Sequence, residues 1–400
     1  MSITSAMQTG VSGLMANGEA ISVIGNNLAN VNTTGFKEGR TLFSDMLSSS
    51  INKGQIGRGA QIQAVQNIFS QGSLQSTGSS TDLAIQGDAM FVLKDPASGA
   101  SFYSRAGAFN FDKNNILTNP DGYQVLGFGI SNGVSNGVPG TINIGNYATM
   151  APKATTTVDL MANLDASQLP APTWDPTAPG FNPIAASNFS TSTSVYDAQG
   201  DATQLTLYFA KTADNAWSVY TYDSKTKAYT AKGAGFPITF NTDGSLASGS
   251  PITTNGVTIN LTGTTQFAAA SSISSQSQDG YGAGSLQKVS VDENGYVNVL
   301  YTNSQTQKIA QVALAKFASL QGLGKEGNNL YSATTASGQA IIDPSNYTSN
   351  KVSANSLEQS NVDMSDQLVK MIETQRSYTA NSKTITAADQ MIQDTLNIIR

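Results

Sequence analysis

Every seventh residue from position 364 to the C-terminus is apolar: Met364, Met371, Tyr378, Ile385, Ile392 and Ile399. The companions four residues on are Leu368, Gln375, Ser382, Asp389 and Leu396, apolar at both ends and polar in the middle. No Pro or Gly interrupts residues 362–400. This spacing predicts a single helix with a heptad seam, about 55 Å long at 1.5 Å per residue. A helix of that length projects from any small domain and needs a partner. The only other heptad in the chain lies at the opposite end. Met7, Leu14, Ile21 and Leu28 stand seven apart, flanked by Ile3, Ile24 and Val31. Two terminal heptads with none between them pair most simply as one antiparallel coiled coil, with the rest of the chain inserted between its strands.

The N-terminal helix carries an unusual polar face. Glu19 is its only charge before Lys37, and the other polar positions are Asn, Ser, Thr, Gln and Gly. A solvated helix face normally carries charges; neutral polar groups suit a helix packed on several sides. The alternative is a plain amphipathic helix on its own core. Burial of the apolar residues of 361–400 falls short of the entropy cost of ordering them. The termini are therefore expected to become fully helical only on assembly, when neighbours supply the missing burial.

Composition narrows the function. The chain has 400 residues, enough for two to three domains. Charged residues are 12%, about half the usual share. The balance is made up by small and amide side chains, which suit β-sheets and wet, polar contacts. A net charge of −6 without basic clusters argues against nucleic acid. The chain has no Cys and no His, so disulfides, thiolate metal sites and His-based catalysis are excluded. No window reaches the apolar length of a membrane span, and the start of the sequence lacks the basic and apolar regions of a cleavable signal. No catalytic residue, cofactor or metal is expected.

Between the ends the pattern is β. Residues 41–70 read as a partly ordered connector with extended pieces such as 60–65. Leu83 and Ile85, a Gly turn, then Phe91 and Leu93 read as two strands. Asp112 to Asn115 and Asn119-Pro120-Asp121-Gly122 are turn signals. Five prolines between 169 and 183 mark a loop. Leu205, Leu207 and Phe209 alternate with polar residues, and Trp217, Val219 and Thr221 answer them across Asp214-Asn215. That is a hairpin of period two, inside an all-β block over 151–279 that is expected to be a barrel or a sandwich. Gly322 to Gly327 is a literal G-x-G-x-x-G, but Asn328-Asn329-Leu330-Tyr331 follows it rather than a helix, so it reads as a turn between strands.

Four runs carry a resemblance. They are Asn26-Asn27-Leu28-Ala29-Asn30 with Gly35-Phe36-Lys37; Asp82-Leu83-Ala84-Ile85-Gln86-Gly87; Phe102 to Phe109; and Glu358 to Asp363 (with Asn361 and Val362), continued by Gln375-Arg376-Tyr378. Together they resemble the bacterial flagellar rod and hook family of axial proteins. The resemblance covers both ends and the first β-domain, and the large insertion favours the hook over the distal rod, which stays the alternative. It implies a mainly β fold with long helical termini and nested β-domains. The parts expected are 1–33 with 361–400 as an inner-tube coiled coil, 34–70 as a connector, 71–147 with 284–360 as the first β-domain, and 148–283 as the outer β-domain.

The resemblance also implies a function. The subunit would self-assemble into a curved tubular homopolymer, outside the cell, that acts as a universal joint carrying torque from rod to filament. Implied partners are further copies, the distal rod protein, the hook-filament junction protein, the hook cap protein and the flagellar type III export apparatus, without nucleic acid or membrane insertion. A different class stays open on residues alone: a secreted β-rich enzyme or adhesin acting on polysaccharide. It would show an acidic cleft with raised carboxylate pKa values.

Overall fold

The chain is seen in a computed structural model that describes residues 3–46, 59–131, 133–345 and 350–398. It is mostly β, with one long helix at each end: α1, Ile3–Ala29, and α2, Met364–Ile398. Contacts divide it into two compact units. One comprises Met1–Asn146, Lys288–Leu300 and Thr306–Arg400; the other comprises Tyr147–Gln287 and Tyr301–Gln305.

In the first unit α1 ends where Asn residues take over the backbone. The Asn30 amide and side chain both donate to the Asn26 carbonyl, at 3.2 and 2.9 Å, and the chain reverses at Gly35 with φ +70°. The start of α2 is capped by Asp363, whose Oδ1 accepts from the amides of Ser365 at 2.8 Å and Asp366 at 3.3 Å. Asn361, two residues earlier, is held elsewhere, as shown below.

The helices touch through small residues. A Cβ added at Gly10 would lie 2.9 Å from Ile385, and one at Gly13 would lie 2.6 Å from Asn381. Gly10, Ala16, Ala20, Ile24 and Asn27 are buried on α1, and Gln367 and Ala388 on α2. The apolar row of α2 is therefore joined at the contact by Gln367, Thr374, Asn381 and Ala388, three residues on, and not by the row four residues on. Met371, Ile385 and Ile392 are half-buried, as are Met7, Leu14, Ile21 and Leu28 on α1. Met364, Leu368, Tyr378 and Leu396 stand exposed at 43–62%. The reason is steric. Glycine and alanine let the two backbones approach closely, and only small or slender side chains fit the gap that remains. Ile399 and the side chain of Ile3 lie outside the described residues.

The stretch read as a connector contains a regular hairpin. Gly39–Asp45 pairs antiparallel with Ala60–Asn67, with a bulge between Leu42 and Phe43. The main sheet of this unit centres on Thr306–Lys316, which pairs with Tyr296–Tyr301, Gln124–Ser131, Met90–Lys94 and Ile341–Pro344. Its alternate residues build the core: Met90, Val92, Tyr103, Phe128, Ala313 and Tyr331 on one face, with Leu83, Ile85, Phe91 and Phe109 fully buried nearby. Gly324–Gly327 forms a hairpin with Leu330–Ser332 through Asn328 and Asn329, both at positive φ; a strand, not a helix, follows the G-x-G-x-x-G.

The second unit is a sandwich. One sheet runs in the order 252–254, 257–260, 157–163, 272–278; the other runs 189–196, 202–213, 216–223, 236–240, 246–248. Leu205, Leu207 and Phe209 face Trp217, Val219, Val158, Leu160 and Ile259 in the core between the sheets. The alternate residues Tyr208, Ala210 and Tyr220 point outward, and there the Pro-rich loop closes over them through Trp174. Trp174 stacks on Tyr220 at 4.4 Å and 6° and donates Nε1–H to the Thr230 carbonyl at 3.0 Å. We expect Trp174→Ala to speed proteolytic cleavage within residues 166–188 at least tenfold, read by mass spectrometry of the fragments, while the sandwich stays folded. Cleavage at the parent rate would show that the loop is held by something else.

Candidate functional site

At the foot of the helix pair three charged side chains meet out of contact with water. Lys37, Arg105 and Glu358 all have 0% side-chain exposure. The Lys37 ammonium donates to Glu358 Oε1 at 2.7 Å and to the Ser70 carbonyl at 2.8 Å. Arg105 donates from Nη1 to Glu358 Oε2 at 3.2 Å and from Nη2 to the Gly87 carbonyl. The Gly72 amide completes the carboxylate shell at 2.9 Å. Burial pulls the Lys37 and Arg105 pKa values below their ordinary range, opposed by the Glu358 carboxylate beside them.

Local structure delivers each group. Glu358 ends the strand Ser356–Glu358, which pairs with Leu74–Ser76. Its own carbonyl accepts from the Gly35 amide at 2.8 Å. A Cβ at Gly35 would come within 2.5 Å of the Ala106 amide nitrogen, so glycine is needed there both for φ and for space. Arg105 is carried on the turn after Ser101–Ser104, and a Cβ at Gly107 would meet the Leu83 carbonyl at 1.7 Å. Phe36 is buried, with the Lys325 ammonium 5.1 Å from its ring centre.

A second set of neutral groups extends the clasp toward the helices. Asn361 accepts from the Glu38 amide at 2.8 Å and donates to the carbonyls of Ile68 and Ser70. Asn27 brackets Gly39 with two bonds, at 2.8 and 2.9 Å, and donates to Gln367 at 3.1 Å. Gln367 in turn donates to Glu38 at 2.8 Å, and Lys370 reaches the same carboxylate oxygen at 3.2 Å. The last residues of α1, the reversal after it, the first β-domain and the first turn of α2 are thus tied together by side chains.

The structure gathers much of what the sequence motifs singled out. Asn27, Gly35, Phe36 and Asn361 sit in the clasp. Leu83, Ile85 and Val362 are buried beside it, Gly87 accepts from Arg105, and Asp82 bridges to Ala108. Asn26 and Asn30 close the end of α1, Asp363 caps α2, and Ala29, Gln375 and Arg376 are exposed. Periodicity singles out none of Lys37, Arg105 and Glu358, which stand inside three of the four motif runs. Only Arg105 carries a local signal, as the lone charge in the Ser-, Ala-, Gly- and aromatic-rich run 101–109; Lys37 is followed by Glu38 and Arg40, and nothing local marks Glu358.

A helix from each terminus is clasped onto the β-structure of the first unit, and the family models that match along the chain define an axial structural protein. They are the flagella basal body rod protein over residues 7–37, the flagellar hook protein FlgE/F/G D1 domain over 84–159, the flagellar basal body protein FlaE D2 domain over 163–281 and the flagellar basal body rod FlgEFG protein C-terminal over 353–398. The flagellar hook protein FlgE of Salmonella typhimurium is 36% identical across 97% of this chain and 98% of its own length. That of Escherichia coli K12 is 37% identical across 98% and 100%, and that of Borreliella burgdorferi 32% across 98% and 99%. The crystal structure of Helicobacter pylori flagellar hook protein FlgE2 shares the fold, with a TM-score of 0.53 at 16% identity, over 71% of this chain and 100% of that one. The chain belongs to the flagellar hook protein FlgE family and is a structural subunit of the bacterial flagellar hook. That family is structural and not enzymatic, and its members act as a homopolymer in the hook.

Proposed function

We propose that the subunit works as a stalk held rigidly by a clasp, with exchangeable outer contacts. The terminal helices form an antiparallel coiled coil (residues 1–33 with 361–400) that lines the inner tube of a curved polymer. The contact order supports this: Gly10 with Ile385, Gly13 with Asn381, Asn27 with Gln367. The buried Lys37–Glu358–Arg105 clasp is the observation that carries the reading. It joins both ends of the stalk to the first β-domain, so torque applied to the helices reaches the β layer without a loose joint. Residues 71–147 with 284–360 form that layer, 34–70 connects it to the stalk, and 148–283 forms the outer domain. The Ser-, Thr- and Asn-rich outer surfaces make wet contacts that are exchanged at little cost, which lets neighbours slide as the joint bends. Distal rod, junction and cap proteins would meet the two ends of the tube, and the flagellar type III apparatus would deliver the chain outside the cell.

Electron microscopy tests the stalk. Full-length protein is expected to form tubes on concentration, with helix content rising as it does. A shortened chain lacking residues 1–33 and 361–400 is expected to stay monomeric. Tubes of normal diameter from the shortened chain would refute the inner-tube role.

A further inference from the structure

Each terminal helix carries a second apolar row that its own partner helix leaves uncovered. On α1 the row is Met7, Val11 and Met15, and it forms one wall of a groove of about 680 Å³. The opposite wall is Met46, Ala60 and Ile62 from the hairpin. Val11 is 42% exposed and Met15 68%. On α2 the row is Met364, Leu368 and Ile372, exposed at 49%, 43% and 51%. Both rows have the spacing i, i+4, i+8, which is the ridge that helices interdigitate when they pack, and both span about 12 Å. Both lie next to the α1–α2 contact of the same chain, so a helix seated in the groove would extend one continuous helix layer.

We propose that the occupant of the α1 groove is α2 of a second copy of this chain, with Met364, Leu368 and Ile372 entering as a helix-in-groove contact. This rests on the stalk reading above. Copies in a tubular homopolymer repeat by rotation and translation about one axis, so each keeps the same axial sense. Within a chain the two helices run in opposite senses. The visiting α2 therefore runs against α1, which sets Met15 opposite Met364, Val11 opposite Leu368 and Met7 opposite Ile372. The groove wall contributed by α1 carries a single charge, Glu19, so the apolar row enters with little charge to desolvate.

The absence of cysteine makes the test clean. Hooks co-assembled from Met15→Cys and Met364→Cys subunits, treated with a short bis-maleimide, are expected to give a covalent dimer on denaturing gels. Hooks of either variant alone are expected to give none. The pair Val11→Cys with Leu368→Cys is expected to behave the same way and serves if the first pair fails to assemble. Mixed hooks that form but give no dimer with either pair would overturn the docking, as would efficient crosslinking of Met7→Cys to Met364→Cys, which demands the parallel register. Because crosslinking is read on tubes already formed, that failure rejects the docking alone; failure of the parent chain to form tubes rejects the stalk reading. Leu368→Asp is expected to lower tube yield at least tenfold with the melting temperature of the monomer unchanged. Undiminished yield would also overturn the proposal.

Discussion

Glu358→Ala is expected to lower the stability of the first unit by about 3–5 kcal/mol, the cost of removing one partner from a buried ion pair. The carboxylate is shared by Lys37 and Arg105, and its oxygen also receives the Gly72 amide. Its loss leaves two buried cations with only the Ser70 and Gly87 carbonyls and no counter-charge, and the Gly72 amide without its acceptor. On a unit of this size that corresponds to a fall in melting temperature of roughly 10 °C. Calorimetry would resolve it, and the sandwich transition should not move. A loss below about 1 kcal/mol would mean that water enters and screens the cations. Glu358→Gln keeps an acceptor but not the charge and should fall between.

The variant has a characteristic pH dependence. Burial depresses the folded pKa of Lys37 below 10.5, and Glu358 is the main group opposing that depression. Without it the folded pKa falls further, while the unfolded value stays near 10.5. Between the two values the unfolded state binds more protons, so stability rises with pH. Raising pH from 7 toward 10.5 should therefore return part of the lost stability in Glu358→Ala, more than the same change returns to the parent. A flat profile would place the cost in packing instead of charge.

Trp217→Ala is expected to act on the second unit alone, at about 3–5 kcal/mol. Trp217 is fully buried between the sheets, and its Nε1–H donates to Gln266 Oε1 at 3.0 Å. The substitution leaves a cavity against Phe209, Val219 and Ile238 and removes that acceptor's donor. The signature is a separate, earlier unfolding transition with loss of near-ultraviolet dichroism, while the clasp unit melts as before. A single transition shifted as a whole would show that the two units unfold together. Hooks from this variant should retain the inner tube and lose outer contacts.

Much of the fold was open to reading. The two helices are long, periodic and free of proline, and α2 in particular has no glycine, so their existence follows from backbone preference and spacing. The hairpin at Asp214-Asn215 follows from period-two alternation with Asn215 at positive φ. The hairpin at 39–67 was less visible because its facing residues are only partly buried and mix polar with apolar. The face of α2 that meets α1 was also misplaced. A heptad row can be completed three or four residues on, and the larger side chains favour the wrong choice; Gly10 and Gly13 decide it by letting Ile385 and Asn381 close in. Trp174 was passed over because proline-rich stretches read as loop whatever their aromatics pack against.

What the sequence alone determined is therefore the set of things fixed by near neighbours along the chain: two terminal helices with apolar rows, β-strands between them, and motifs specific enough to point to the axial family. What only the tertiary structure decided is which distant residues meet. Glu358 lies 321 positions from Lys37 and 253 from Arg105, and no local periodicity reports a pairing at that range. Their charges are tolerable in the interior only because all three arrive together, and that condition exists only in the folded chain.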